Sequence, residues 1–291
     1  MRLTYTKLIA TVFFWGSGFT AGKIAVQTLG PYSSAFVRFA VGTLVLLLVF
    51  LKTNRGFVAL SRKQWVWAIL SGVTGVFLYN VFIFKGLQHI PAVRAALITA
   101  FAPIVIALGS ALFFNEKFTP LKWFGVLISL GGTLVVVTRG NLTAMLSNAT
   151  WGIGEVLVVG CVFSWTTYTL IGKVALQQIS ALTLSTYSAL IGTVLLFVLA
   201  WQEGVWGQLA QASWQSIGAA AYMGLTATAL GYVWYYDAVR QIGPAKAAVV
   251  GNLSPVFAVL IAVVVLGEEI TIATILGGLL VLGGVWITNL K

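Results

Sequence analysis

The sequence predicts an all-α membrane protein of ten transmembrane helices, arranged as two inverted five-helix repeats around a central cavity. Three observations carry that prediction. Hydrophobic residues make up 59% of the 291 residues and charged residues only 8%, against about a quarter charged in soluble domains. Apolar stretches follow one another from end to end, each near the roughly 20 residues needed to cross about 30 Å of hydrocarbon. The second half of the chain repeats the first.

Apolar windows between polar breaks place the helices at 5–26, 32–52, 65–86, 92–114, 121–139, 153–174, 182–202, 214–236, 245–266 and 271–290. The first follows Arg2 and takes in Lys7. It is too long for a signal sequence and lacks a small-residue cleavage site, so it is read as a retained helix. The second lies between Pro31 and the polar run Lys52 to Arg55, and the third between Arg62-Lys63 and Gln88-His89. Asn115-Glu116 closes the fourth, and Arg139-Gly140-Asn141 the fifth. Gly152 precedes the sixth, Ser180 the seventh and Ser213 the eighth, which is expected to stop before Asp237. Gly243-Pro244 opens the ninth and Glu268-Glu269 separates it from the tenth.

Charge orients the set. With the N-terminus inside, twelve of the 17 Lys and Arg fall at cytoplasmic ends: Arg2, Lys7, Lys52, Arg55, Arg62, Lys63, Lys117, Lys122, Lys173, Arg240, Lys246 and Lys291. The other side keeps Lys23, Lys85, Arg94 and Arg139, with Arg38 inside the second helix. This is the positive-inside bias, and it places both termini in the cytoplasm. The net charge of +11 is therefore spread over loops and helix ends rather than gathered into a nucleic-acid surface. Nine of the eleven Trp lie near helix ends, where the indole N–H stays wet; the exceptions are Trp15 and Trp165, at mid-helix. The single cysteine, Cys161, has no disulfide partner and says nothing about compartment.

Residues 12–46 match 162–196 at an offset of 150, with ten identities in 35 positions, including Trp15/Trp165, Gly22/Gly172, Lys23/Lys173 and Thr43/Thr193. Residues 90–132 match 242–284 at an offset of 152, with twelve identities in 43, including Pro103/Pro255, Glu116/Glu268, Gly125/Gly277 and Gly131-Gly132/Gly283-Gly284. Composition alone gives roughly one identity in ten. The halves are drawn at 1–140 and 150–291. Each has five crossings, an odd number, so the second enters the membrane from the opposite side. An inverted repeat gives a route to alternating access with a site at the midplane.

Trp15 and Trp165 are expected to line that site. Ser17 stands beside the first, and Tyr168 is one turn beyond the second. Pro103 and Pro255 lack the N–H that would bond to the carbonyls of Thr99 and Gly251, which predicts kinks at membrane depth. Tyr79, Asn80 and Asn252 add polar groups near the midplane. Each of these residues has a plainer reading as helix packing. Lys23 with Glu268 at the outer face, and Lys173 with Glu116 at the inner face, are candidate gate or structural ion pairs. Arg38 is the deepest base, and Glu155, near the outer start of the sixth helix, is the acid nearest a midplane relay.

The WGSGF run from Trp15 to Phe19, the VRF around Arg38, and the spacing Pro103, Asn115-Glu116, Gly125, Gly131-Gly132 with its echo from Pro255 to Gly284 resemble the drug/metabolite transporter superfamily, in its EamA-like ten-helix branch. The resemblance covers nearly the whole chain. It implies a cavity between inverted halves and export of amino acids or other small metabolites. Ser188 stands where Arg38 predicts a second arginine, so the halves are not interchangeable. The expected partners are a small-molecule solute and the bilayer, with no nucleic acid, no cofactor and no metal. A passive channel is the first rival reading. A membrane-embedded enzyme is the second, and it would need a nucleophile with a base, a carboxylate pair or a metal cluster at one depth, which the sequence does not offer.

Overall fold

The computed structural model describes residues 1–90, 95, 98–116, 119–138, 140–141, 152–266 and 271–290. Every regular element among them is helical. α1 (Arg2–Ala25) and α2 (Pro31–Asn54) are continuous. α3 is built from Arg62–Ser71, the π-helical turn Gly72–Leu78 and Tyr79–Leu87. α4 (Ala102–Phe114) and α5 (Pro120–Thr138) complete the first half. α6 (Ile153–Ala175) and α7 (Ala181–Gln202) follow, then a short surface helix, Val205–Gln211. α8 is built from Trp214–Met223, the π-helical turn Gly224–Leu230 and Gly231–Ile242. α9 comprises Pro244–Gly251 and Ser254–Leu266, and α10 is Ile272–Asn289.

The chain is thus an all-α membrane protein in which eight helices have the length and hydropathy to cross a bilayer outright. α4 and the polar, aromatic α8 bring the set to ten.

Local chemistry explains the boundaries. Ser61 and Gln64 cap α3 reciprocally, and Ser180, Ser213 and Thr271 accept N–H bonds at the starts of α7, α8 and α10. α8 runs to Ile242, beyond the predicted stop at residue 236. Asp237 and Arg240 are polar residues within its last turns, and Gly243 (φ +88°) followed by Pro244 is the actual break. The short helix Val205–Gln211 has no counterpart among the predicted elements.

Cross-half packing follows the repeat. α5 and α10 lie against each other along their length. A Cβ on Gly132 would come within 2.6 Å of the Gly277 carbonyl oxygen, and one on Gly284 within 2.5 Å of that of Gly125, so glycine alone permits this approach. Those four residues are two repeat pairs meeting crosswise. Between α2 and α7, the hydroxyls of Thr43 and Thr193, themselves repeat mates, share a 2.8 Å hydrogen bond. Contacts between mates require an approximate two-fold axis, and these residues lie on or astride it.

Tyr5 Oη donates to Asn289 Oδ1 at 2.9 Å, which sets the start of α1 beside the end of α10. Both termini are on one side, as an even number of crossings demands. On the far side, α2 is capped from the other half: Ser33 N–H donates to Glu203 Oε2 at 2.6 Å and Gly30 N–H to Gln208 Oε1 at 2.6 Å.

Candidate functional site

Trp15 and Trp165 meet at mid-depth, their ring centroids 5.4 Å apart and their planes at 83°. Both rings are half-buried. The two π-helical turns hold the surroundings in place. Gly72–Leu78 and Gly224–Leu230 are related by 152 residues, the offset of the second repeat block. A π turn shifts backbone bonds and leaves carbonyls open to side-chain donors. Trp15 Nε1 donates to Ala227 O at 3.0 Å, and Tyr232 Oη donates to Gly75 O at 3.1 Å. Gly75 and Ala227 are repeat mates, so equivalent carbonyls anchor an aromatic side chain in each half. Thr74 and Thr226, also mates, both bond back to the carbonyl four residues earlier at 2.7 Å.

Below the tryptophans, toward the side of the termini, the space is filled. Tyr168 stacks on Tyr236 with centroids 4.5 Å apart, and Tyr235 lies 5.3 Å from Trp15 and 5.2 Å from Trp165. Tyr168, Tyr235 and Tyr236 are essentially inaccessible to solvent. Tyr235 shares a hydrogen bond with Thr169, and Tyr236 donates to Ser71 Oγ and the Tyr168 carbonyl. Their mates on the other side are Gly18, Ile83 and Phe84, all half-buried. These buried rings form an aromatic plug on the terminal side of the tryptophan pair, whereas their described mates toward the far side are only half-buried.

The remaining sequence candidates fall as follows. Tyr79 joins the cluster, its ring 5.5 Å from Trp165. Arg38 reaches it from α2, with Nε donating to Thr228 Oγ1 at 3.0 Å. Ser17 is buried and shares a 2.8 Å hydrogen bond with Tyr222 Oη, off the cluster. The two amides find partners in the protein: Asn80 Nδ2 donates to Val76 O at 2.6 Å and Asn252 Nδ2 to Ser129 Oγ at 3.1 Å. Pro103 and Pro255 each sit just past a break, where Phe101 N–H bonds to Ile98 O and Leu253 N–H to Val250 O, equivalent tight turns in the two halves. Thr99 lies on the near side of the first break and is half-buried. Lys173 Nζ and Glu116 Oε1 approach to 3.9 Å at the terminal side. Lys23 is exposed at the far end of α1, and its proposed partner Glu268 lies outside the described residues. Glu155 is buried at the start of α6, where its carboxylate accepts the Gly152 N–H at 2.9 Å.

Sequence reading misses Thr228, Tyr232, Tyr235 and Tyr236. They lie between the two blocks of detectable repeat, so no pairing points to them. A separate cleft of about 400 Å³ opens between α1, α9 and α10, lined by Tyr5, Val250, Leu253 and Trp286, away from the paired tryptophans.

Comparison with known proteins agrees with this geometry. The chain is 28% identical over 97% of its length to the uncharacterized transporter YyaM of Bacillus subtilis, covering 92% of that protein. It is 27% identical over 99% of its length to an uncharacterized transporter of Archaeoglobus fulgidus, covering 98% of it. It is also 27% identical over 97% of its length to a probable terminal-alkyne amino-acid exporter of Streptantibioticus cattleyicolor, covering 92% of that protein. A solved crystal structure superposes with a TM-score of 0.77 at 19% identity, over 99% of this chain and 97% of the other, and so shares the fold. The model of the EamA-like transporter family matches twice, at residues 2–138 and 152–290. The chain belongs to the EamA-like transporter family.

Proposed function

We propose that this transporter is a secondary carrier that exports amino acids or related small metabolites by alternating access, with both termini in the cytoplasm of a bacterial inner membrane and no catalytic role. The observation that carries the reading is the central pair Trp15 and Trp165, set between inverted halves with buried tyrosines packed on the terminal side. Exchanging the packing of the two halves would open the plugged side and close the other, which is how inverted repeats move a fixed site between two faces. The Lys173–Glu116 pair at the plugged side serves as a latch in this scheme. Relatives described as transporters, one of them as a probable amino-acid exporter, support the substrate class.

The test is uptake into proteoliposomes over a panel of amino acids and metabolites, with and without a proton gradient. Saturable, counterflow-competent flux is expected. Ion-like conductance without saturation would replace the carrier by a channel.

A further inference from the structure

Arg38 lies about two turns into α2, among residues that pack between the halves. One guanidinium N–H is used, by Nε toward Thr228 Oγ1 at 3.0 Å. The two Nη groups, with four N–H donors, have no protein acceptor among the described residues, and the side chain is half-buried rather than sealed. The Phe39 ring lies 5.0 Å from the guanidinium carbon. Tyr79 and Tyr232 are the ionisable side chains that interact with it, and no carboxylate among the described residues does. The described acids are placed elsewhere: Glu116 beside Lys173, Glu155 at the start of α6, Glu203 at the start of α2, and Asp237 near Lys7 and Arg240.

A cation held within the membrane without a counter-charge is costly, and intramembrane bases usually mark a ligand path. The arginine fork is planar and matches a carboxylate through two parallel N–H bonds. Arg38 also adjoins the aromatic cluster. Its partner Thr228 is next in sequence to Ala227, whose carbonyl holds Trp15, and Tyr79 links it to Trp165. The repeat mate Ser188 is buried and donates to the Ser185 carbonyl, so the site has a single charged pole.

We propose that Arg38 is the carboxylate-recognition residue of the central site, and that the solute is an organic molecule bearing a single carboxylate whose apolar body rests on Trp15, Tyr79 and Trp165. This rests on the carrier reading above. A single guanidinium suits one carboxylate better than a multiply charged phosphate ester. The α-ammonium of an amino acid, where present, is received by the aromatic faces through cation–π attraction.

The experiment uses the full chain in proteoliposomes and three matched probe pairs: 3-phenylpropionate with 3-phenylpropionamide, phenylalanine with phenylalaninamide, and leucine with leucinamide. The wild type is expected to favour the acid over the amide by about tenfold or more in at least one pair, as sites built to bond a polar group reject its analogue. Arg38→Gln brings that ratio to near one, and Arg38→Lys, which keeps the charge but loses the fork, lies between. Size-exclusion profile and thermal melt are followed in parallel. If Arg38→Gln does not fold, Arg38→Lys and the wild-type ratios decide. Equal flux of acid and amide in the wild type, or an unchanged ratio in a folded Arg38 variant, overturns the anion site and leaves the carrier standing. No saturable flux of any probe or of the broader metabolite panel overturns both.

Discussion

Tyr168 fixes the plug because residue 75 carries no side chain. A Cβ on Gly75 would overlap the Tyr168 ring, and that ring is held by stacking on Trp165 and Tyr236. Gly75→Ala is therefore expected to destabilise the protein by about 1–3 kcal/mol, the usual cost of overpacking. At Gly218, in α8, an added Cβ would meet nothing within 4 Å, so Gly218→Ala should be neutral or stabilising by up to about 1 kcal/mol. Thermal melts of the two detergent-purified variants separate these outcomes. At this scale the sequence is legible where the repeat is. Trp15 and Trp165 stand out because each is an identity in a gapless match, whereas Tyr235 and Tyr236 have Ile83 and Phe84 as mates and leave no such trace. Asn80 and Asn252 are, in sequence, amides that want partners, and the fold supplies them as Val76 and Ser129.

The elements that shape the site are the two π turns. Their composition and hydrophobicity are those of an ordinary helix; only the backbone bonding shifts, so apolar windows do not reveal them. The proline breaks are legible, because a missing N–H is written in the residue itself. The end of α8 is misjudged for the opposite reason: Asp237 and Arg240 look like a loop in sequence, yet both lie within the helix. Trp15→Phe removes the donor to Ala227 O while keeping an aromatic ring. The exposed carbonyl should cost about 1–3 kcal/mol, and amide hydrogen exchange across Gly224–Leu230 should quicken. Tyr232→Phe should do the same across Gly72–Leu78, through Gly75 O. Unchanged exchange in both segments would deny the anchoring role.

For the whole molecule, the expectation of ten helices in related halves rests on composition and on identities alone, and both features are robust to errors of a few residues at helix ends. The aromatic plug on the terminal side is not legible, since Tyr235 and Tyr236 lie outside the blocks of detectable repeat. Sidedness is directly measurable. In a Cys161→Ser background, Thr6→Cys, exposed near the start of α1, should react with an impermeant maleimide only from the cytoplasm. Gln211→Cys, exposed at the end of the short surface helix, should react only from outside. The reverse pattern would invert the topology.

The hydrogen bond between Thr43 and Thr193 has a bearing on ancestry. If the halves descend from one five-helix chain that paired with an oppositely oriented copy of itself about a two-fold axis, this position once met its own double, and any change there altered both partners at once. A hydroxyl suits that circumstance because it donates and accepts equally. Once two copies were joined in one gene, each site became free to drift alone. Arg38 opposite Ser188 records that freedom: one half kept or gained a charge that the other does without.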